Sequence, residues 1–436
     1  MARVHVSGAW VASIALVALG VFLGIAAAGS PQCCDADAYW DEAYWSTTGG
    51  WSSGWLGPVH NYGYPVFIAL LRDIRPVARL GVAVAQLALL YVAAIALALS
   101  LARSTRSSFP TAMAWVSAIA LLPAAAWSGY YLSEAVAAPV LLLMLALGIA
   151  ACLGPTSGAF RLGAIAALGL ASGFAWMVRP ALIWVPAVLG SLVLGACLIV
   201  GWRGSRRALL LPLAFAGGLF LAVLPQWTLG GNILKTDLAR QQSGTSDAVW
   251  RYGTNLSDCG PMPLVFSPLT DDVGEVLSGT LAVPDTISWR MTAVAAHLIS
   301  GWDALPSPTY ITSLRDGRWG LVTGLSGFFI LGPVLAAAAA WQSRKGPRGE
   351  VVVLMGLLSL FAVSQAALAV TAAEFRFNLP GWIIAGTSLA FLTATGRWTR
   401  ARVAVWLAGG ALVSLTVYVI GQMTLSYSPD WLACTR

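Results

Sequence analysis

Residues 132–152 read LSEAVAAPVLLLMLALGIAAC, and after Glu134 the next charged side chain is Arg161. About 20 apolar residues are what a helix needs to cross a hydrocarbon core of about 30 Å. Runs of the same kind recur on both sides, near 8–28, 79–101, 110–130, 160–178, 180–201, 207–227, 319–341, 350–371, 377–395 and 403–424. The composition agrees: 58% of residues are hydrophobic and 10% charged, where a soluble domain carries about 25%. Mean hydropathy is +0.76. Within lipid each segment must satisfy its own backbone hydrogen bonds, which leaves helices. The fold class expected is all-α and integral to the membrane, a bundle of about 11 transmembrane helices with interfacial helices in two large outer loops.

The first segment ends in Ala26-Ala27-Ala28-Gly29-Ser30, which looks like a signal-peptidase site. Its apolar stretch is longer than a signal core and ten further spans follow, so it reads as a retained helix. Three regions are expected. Residues 1–227 form an N-terminal transmembrane module with an outer loop at 30–78. Residues 228–318 form an extracytoplasmic loop or lid, and 319–436 the C-terminal helices.

Orientation follows from the arginines. A cytoplasmic N-terminus puts Arg3, Arg103, Arg106, Arg161, Arg203, Arg206, Arg207, Arg344, Lys345, Arg348, Arg397, Arg400 and Arg402 inside and the C-terminus outside. That is a strong positive-inside bias. The net charge of +7 therefore reflects topology. It does not point to nucleic acid, whose footprint is a continuous basic face. In this topology seventeen of the eighteen acids fall outside, Glu350 being the exception.

The densest acidic stretch is the first outer loop, with Asp35, Asp37, Asp41 and Glu42 and no Lys or Arg between Ser30 and Asn61. Tyr39, Trp40, Tyr44, Trp45, Trp51, Trp55, Tyr62 and Tyr64 crowd the same loop. The loop reads as one or two amphipathic helices on the membrane, aromatics at headgroup depth. On a helix, residues four apart share a face. Asp35, Tyr39 and Ala43 then align, as do Asp37, Asp41 and Trp45. A carboxylate held beside aromatics can act as general base toward a sugar hydroxyl. A solvated acidic loop beside an aromatic belt is the plainer alternative.

Elsewhere Asn61-Tyr62-Gly63-Tyr64-Pro65 marks a turn into the membrane. Glu134 stands at an outer junction, as a snorkelling boundary residue or as a contact for a polar head or for Arg179. Arg179 and Arg376 break the inside rule for arginines. A guanidinium suits phosphate through its planar fork of donors. Pairing of Arg376 with Glu374 or Glu134 is the alternative. The loop at 228–318 carries turn-forming clusters, Gln241–Ser246 and Pro261-Met262-Pro263, expected to be irregular, and an interfacial helix over 286–302. Cys33, Cys34, Cys259 and Cys434 fall outside, where a disulfide from one of the first two to Cys259 or Cys434 can form. Cys152 and Cys197 read as packing residues. No zinc spacing is present, and no phosphate-binding loop of the GxxxxGK[ST] type.

Asp35-x-x-x-Tyr39-x-x-x-Ala43 after a first span, then Tyr64-Pro65-Val66-Phe67, resembles the opening of bacterial membrane glycosyltransferases of the GT-C superfamily. The protein mannosyltransferase and aminoarabinose transferase relatives are the nearest group. Ser133-Glu134, Val178-Arg179-Pro180 and Glu374-x-Arg376-Phe377 also resemble motifs of that superfamily. The resemblance implies a polyprenyl-phosphate sugar donor and inverting transfer to a hydroxyl of a cell-envelope glycan, lipid or protein. It implies a bacterial inner-membrane setting, a first-loop Asp as base (Asp35 or Asp37) and an outer Arg holding the donor phosphate. Tyr39, Asp41, Glu42, Tyr64, Glu134 and Glu374 would help bind substrate. Some members use a divalent metal, Mg²⁺ or Mn²⁺, for which the four first-loop acids offer oxygen ligands. No cofactor is otherwise implied. The rivals are a secondary transporter or flippase, which would place polar groups at mid-membrane, and a polysaccharide ligase or polymerase.

Overall fold

The computed structural model describes residues 8–28, 39–40, 43, 61–72, 78–105, 107–154, 157–201, 209–230, 254–257, 260–263, 298, 302, 318–342, 348–370 and 378–425. Its helices are α1 (Gly8–Ala28), α2 (Gly63–Arg72), α3 (Ala78–Ser104), α4 (Phe109–Trp127), α5 (Glu134–Leu153) and α6 (Gly158–Val178). A 3-10 turn (Pro180–Leu182) precedes α7 (Trp184–Gly201) and α8 (Leu210–Gly230). After strands β1 (Thr254–Ser257) and β2 (Gly260–Pro263) come α9 (Arg318–Gln342), α10 (Arg348–Val370), α11 (Leu379–Ala394) and α12 (Arg400–Leu425).

Each of the eleven expected spans is a helix. Nine helices among the described residues are long and apolar enough to cross a membrane, and apolar stretches in α4 and α11 are shorter. The chain is a multi-pass, helical integral membrane protein. Local signals set the ends: Ser108 caps α4 through the Thr111 N–H, and Ser157 caps α6 through the Phe160 N–H. Both hydroxyls satisfy a donor that the first turn leaves orphaned.

Two compact units emerge. The first comprises residues 1–233, 332–361 and 382–399. Within it α6 packs against α8, α1 against α4, and α3 against α5. The α6–α8 crossing is built on glycine. A Cβ at Gly218 would overlap the Ala166 carbonyl, and one at Gly169 the Phe215 carbonyl. Small residues let membrane helices approach backbone to backbone, gaining dispersion where no hydrophobic effect drives association. Gly218→Ala is therefore expected to cost about 1–3 kcal/mol, the usual penalty of overpacking. Gly217→Ala, whose Cβ meets open space, should leave a reversible detergent-unfolding midpoint unchanged.

Away from the site described below, Arg397 pairs with Glu350, the one acid expected inside. Both side chains are partly exposed, so the pair adds little to stability. Cys197 is buried and Cys152 half-buried, both free thiols in apolar helices.

The second unit comprises residues 234–331, 362–381 and 400–436. There the Gly327 N–H donates to Ser414 Oγ at 2.9 Å, and Trp406 Nε1 donates to the Phe328 carbonyl at 2.9 Å, tying α9 to α12. Trp302 Nε1 donates to Gln365 Oε1 at 2.8 Å, and Gln365 Nε2 donates to Asn378 Oδ1 at 2.8 Å. That chain fixes one point of the 228–318 loop on the ends of α10 and α11.

One expectation is corrected here. Pro261-Met262-Pro263, read as irregular, lies in β2, antiparallel to β1 with Thr254 opposite Pro263 and Leu256 opposite Pro261. Hydrogen-bonded and non-bonded pairs alternate along such a ribbon. Two prolines two residues apart can both take non-bonded positions, where a missing N–H breaks no ladder bond. The interfacial helix expected at 286–302 lies outside the described residues apart from 298 and 302, and so do the four outer cysteines.

Candidate functional site

Glu134 opens α5 and Arg179 follows α6, 45 residues apart in sequence and in contact in space. Their side chains form an ion pair, with relative exposures of 3% for the carboxylate and 10% for the guanidinium. Of the readings open for Glu134, pairing with Arg179 is the one observed. Ser133 Oγ also donates to Glu134 Oε2 at 3.3 Å. A buried ion pair costs desolvation that its attraction only partly returns.

Three stretches of chain converge here. Tyr39 and Ala43 are both buried, as their four-residue spacing on one helical face requires. The Tyr39 ring meets Tyr64 edge-on at 4.8 Å, and Trp40 stacks on Tyr131 at 5.0 Å. Tyr39 and Trp40 thereby rest on the start of α2 and on the segment before α5. Tyr39, Tyr62 and Tyr64 are all buried within the protein. Tyr62 and Tyr64 spend their hydroxyls on internal acceptors, which is what makes burial tolerable.

The expected turn at Asn61–Pro65 is present and holds the end of α6. Asn61 Nδ2 donates to the Trp176 carbonyl at 3.3 Å. A Cβ on Gly63 would stand 2.7 Å from the backbone of Met177 and Val178. Tyr62 donates its N–H to Gln226 Oε1 at 3.0 Å and its hydroxyl to the Ala222 carbonyl at 2.6 Å. Arg179 thus leaves a helix end locked by α2 and α8. Likewise a Cβ on Gly129 would overlap Ala27 and Ala28 at the end of α1, the helix that leads into the acidic loop.

Burial pushes the Tyr62 phenol up to about 12. The Tyr64 phenol is raised well above its usual value, first by burial and then by Tyr39, Glu134 and Tyr131. That Glu134 acts on Tyr64 places the phenol in the field of the ion pair. Both hydroxyls stay protonated at physiological pH, so they serve as donors and not as bases.

A small apolar cavity of about 20 Å³, with Leu141, Leu145, Trp184, Val185, Leu360 and Ile384 in its lining, opens farther along α5. Leu141 is seven residues along α5 from Glu134, about 10 Å at the helical rise of 1.5 Å per residue.

Of the sequence candidates, the structure brings Tyr39, Tyr64, Glu134 and Arg179 together. Asp35, Asp37, Asp41, Glu42, Glu374 and Arg376 lie outside the described residues. Among the described residues no group of three or more His, Cys, Asp or Glu is disposed to hold a metal ion. Sequence reasoning missed Gln86 and Gln226. The available signal was a lone amide in an apolar run, since such groups must find partners inside the protein.

No protein-family model matches this chain, and no curated protein matches it. Among solved structures it is similar to the oligosaccharyltransferase of Archaeoglobus fulgidus, crystallised tethered to an acceptor peptide containing the NVT sequon. The TM-score is 0.49 and the identity 13%, over 97% of this chain and 56% of that one. The chain thus spans little more than half the length of that protein. A likeness of this degree says nothing about which residues act or on what.

Proposed function

We propose that the protein is a membrane glycosyltransferase of the GT-C type, taking a sugar from a polyprenyl-phosphate donor to an acceptor hydroxyl on the extracytoplasmic side. The observation that carries the reading is the buried Glu134–Arg179 pair with Tyr39 and Trp40 packed on the segments around it. Asp37 is two residues from Tyr39 and Asp35 four. The covalent chain limits their Cα atoms to about 7 and 14 Å from that of Tyr39. Carboxylates for base chemistry and a guanidinium for phosphate are therefore tied to one end of one helix bundle.

In this reading Asp35, assisted by Asp37, takes the proton from the acceptor hydroxyl. The oxygen attacks C1 of the sugar from the face opposite the phosphate, and the C1–O bond to phosphate breaks with its electron pair. Polyprenyl phosphate leaves and the anomeric centre inverts. Arg179, or Arg376 in its place, holds the phosphate and stabilises its growing charge. Glu134 orients the guanidinium, and Tyr39 and Tyr64 offer ring faces and edges to the sugar. Asp41, Glu42 and Glu374 remain candidates for hydroxyl contacts. If a divalent cation is required, the first-loop acids are its candidate ligands. The N-terminus is taken as cytoplasmic and the cell as bacterial, with the inner membrane as site.

The reading is tested with purified full-length protein in liposomes and a polyprenyl-phosphate donor carrying a labelled sugar. Label should pass to cell-envelope acceptors with wild type and fall at least about 100-fold with Arg179→Ala, given the weight of charge-stabilising contacts. Movement of intact donor across the bilayer without bond cleavage would instead identify a flippase. Transfer from diphosphate-linked oligosaccharide alone would identify a ligase or polymerase.

A further inference from the structure

Gln86 lies within α3, a helix otherwise apolar around it, and is wholly buried. Its amide makes three hydrogen bonds. Nε2 donates to the Ser128 carbonyl at 2.8 Å and to the Tyr130 carbonyl at 3.2 Å. Oε1 accepts from the Tyr64 hydroxyl at 2.9 Å. Ser128 and Tyr130 belong to the non-helical segment between α4 and α5. Non-helical backbone survives at buried depth only where the protein supplies donors to its carbonyls. Gln86 supplies two from a single planar group. Four residues beyond Tyr130 stands Glu134, and Tyr131 between them carries the stacked Trp40.

We propose that Gln86 is a positioning residue: by holding the Ser128 and Tyr130 carbonyls and the Tyr64 hydroxyl at once, it sets where Glu134, Tyr39 and Trp40 stand relative to Arg179. Its kinetic consequence rests on the transferase reading above, whereas its structural consequence does not. The one amide bonds both the α2 side of the site and the α4–α5 segment, each bond 3.2 Å or shorter. Small displacements matter, since a shift of about 1 Å in a positioning group can cost about 100-fold in rate.

The experiment compares wild type, Gln86→Met, Gln86→Glu and Ser100→Ala, full-length and in nanodiscs. Hydrogen exchange at the amides of 128–137 is read beside donor KM and kcat. Gln86→Met keeps the volume and loses all three bonds. Gln86→Glu keeps an acceptor for Tyr64 but sets a carboxylate against two carbonyl oxygens. Ser100→Ala removes a 2.7 Å bond to the Ala146 carbonyl between the same helices, α3 and α5, away from the segment.

Both Gln86 variants should raise exchange over 128–137 by about tenfold or more, as local opening becomes easier. The donor kcat/KM should fall about 10- to 100-fold, because the displaced groups hold the phosphate both in the bound donor and as charge grows on it. Ser100→Ala should match wild type in every readout. Unchanged exchange in Gln86→Met would overturn the proposal, as would raised exchange with kcat/KM unmoved in an active enzyme. A Ser100→Ala effect as large as that of Gln86→Met would overturn it too, by showing general loosening of the helix pair. If wild type transfers no sugar, the transferase reading falls, and exchange alone decides whether Gln86 holds the segment.

Discussion

Asp35→Asn is expected to lower kcat for sugar transfer by about 10²- to 10⁴-fold, the range that a positioned general base contributes. The substitution keeps size and polarity and removes only the ability to take a proton. Donor affinity, read by binding of a non-transferable polyprenyl-phosphate sugar, should stay within about twofold, because Asp35 faces the acceptor in the proposed chemistry. Asp37→Asn should cost less, as an assisting group. If Asp35→Asn is fully active and Asp37→Asn is not, the base is Asp37. If both retain full turnover, the base lies outside the first loop.

Arg179→Ala is expected to destabilise the protein by about 3–5 kcal/mol, because it leaves the Glu134 carboxylate buried without its countercharge. Glu134 exposes only 3% of its side chain, so water cannot replace the guanidinium without rearrangement. The double variant Glu134→Leu/Arg179→Met should recover most of that stability, since no charge remains to be solvated. It should recover no transfer activity. Reversible unfolding in mixed micelles measures the first effect and the donor assay the second. Recovery of both together would show that the pair is structural and that phosphate is held elsewhere. Equal stability of the single variant and wild type would mean that the pair is far better hydrated than its burial indicates.

The helices were legible because each membrane crossing writes itself into a local run of side chains. The segment 132–152 is read as a span from its own residues, and α5 begins at Glu134 and ends at Leu153. The alignment of Tyr39 with Ala43 was equally local, a matter of helical period, and both are buried. The hairpin at 254–263 was not legible, since Pro and Gly weigh against strand in any local reading. Only the pairing register shows that two prolines can be accommodated there.

By itself the sequence determined that the chain crosses the membrane many times, where the crossings fall, and which few polar residues stand at their ends. Those properties depend on transfer free energy summed over neighbouring residues, so neighbours suffice to read them. Only the tertiary structure decided that Glu134 meets Arg179 and that Tyr64 turns inward to Gln86. It likewise decided that Gly129 lies against the end of α1 and Gly218 against α6. Such contacts join residues tens of positions apart. They exist because a buried charge or amide must find its partner within the fold, and no local pattern says which partner that will be.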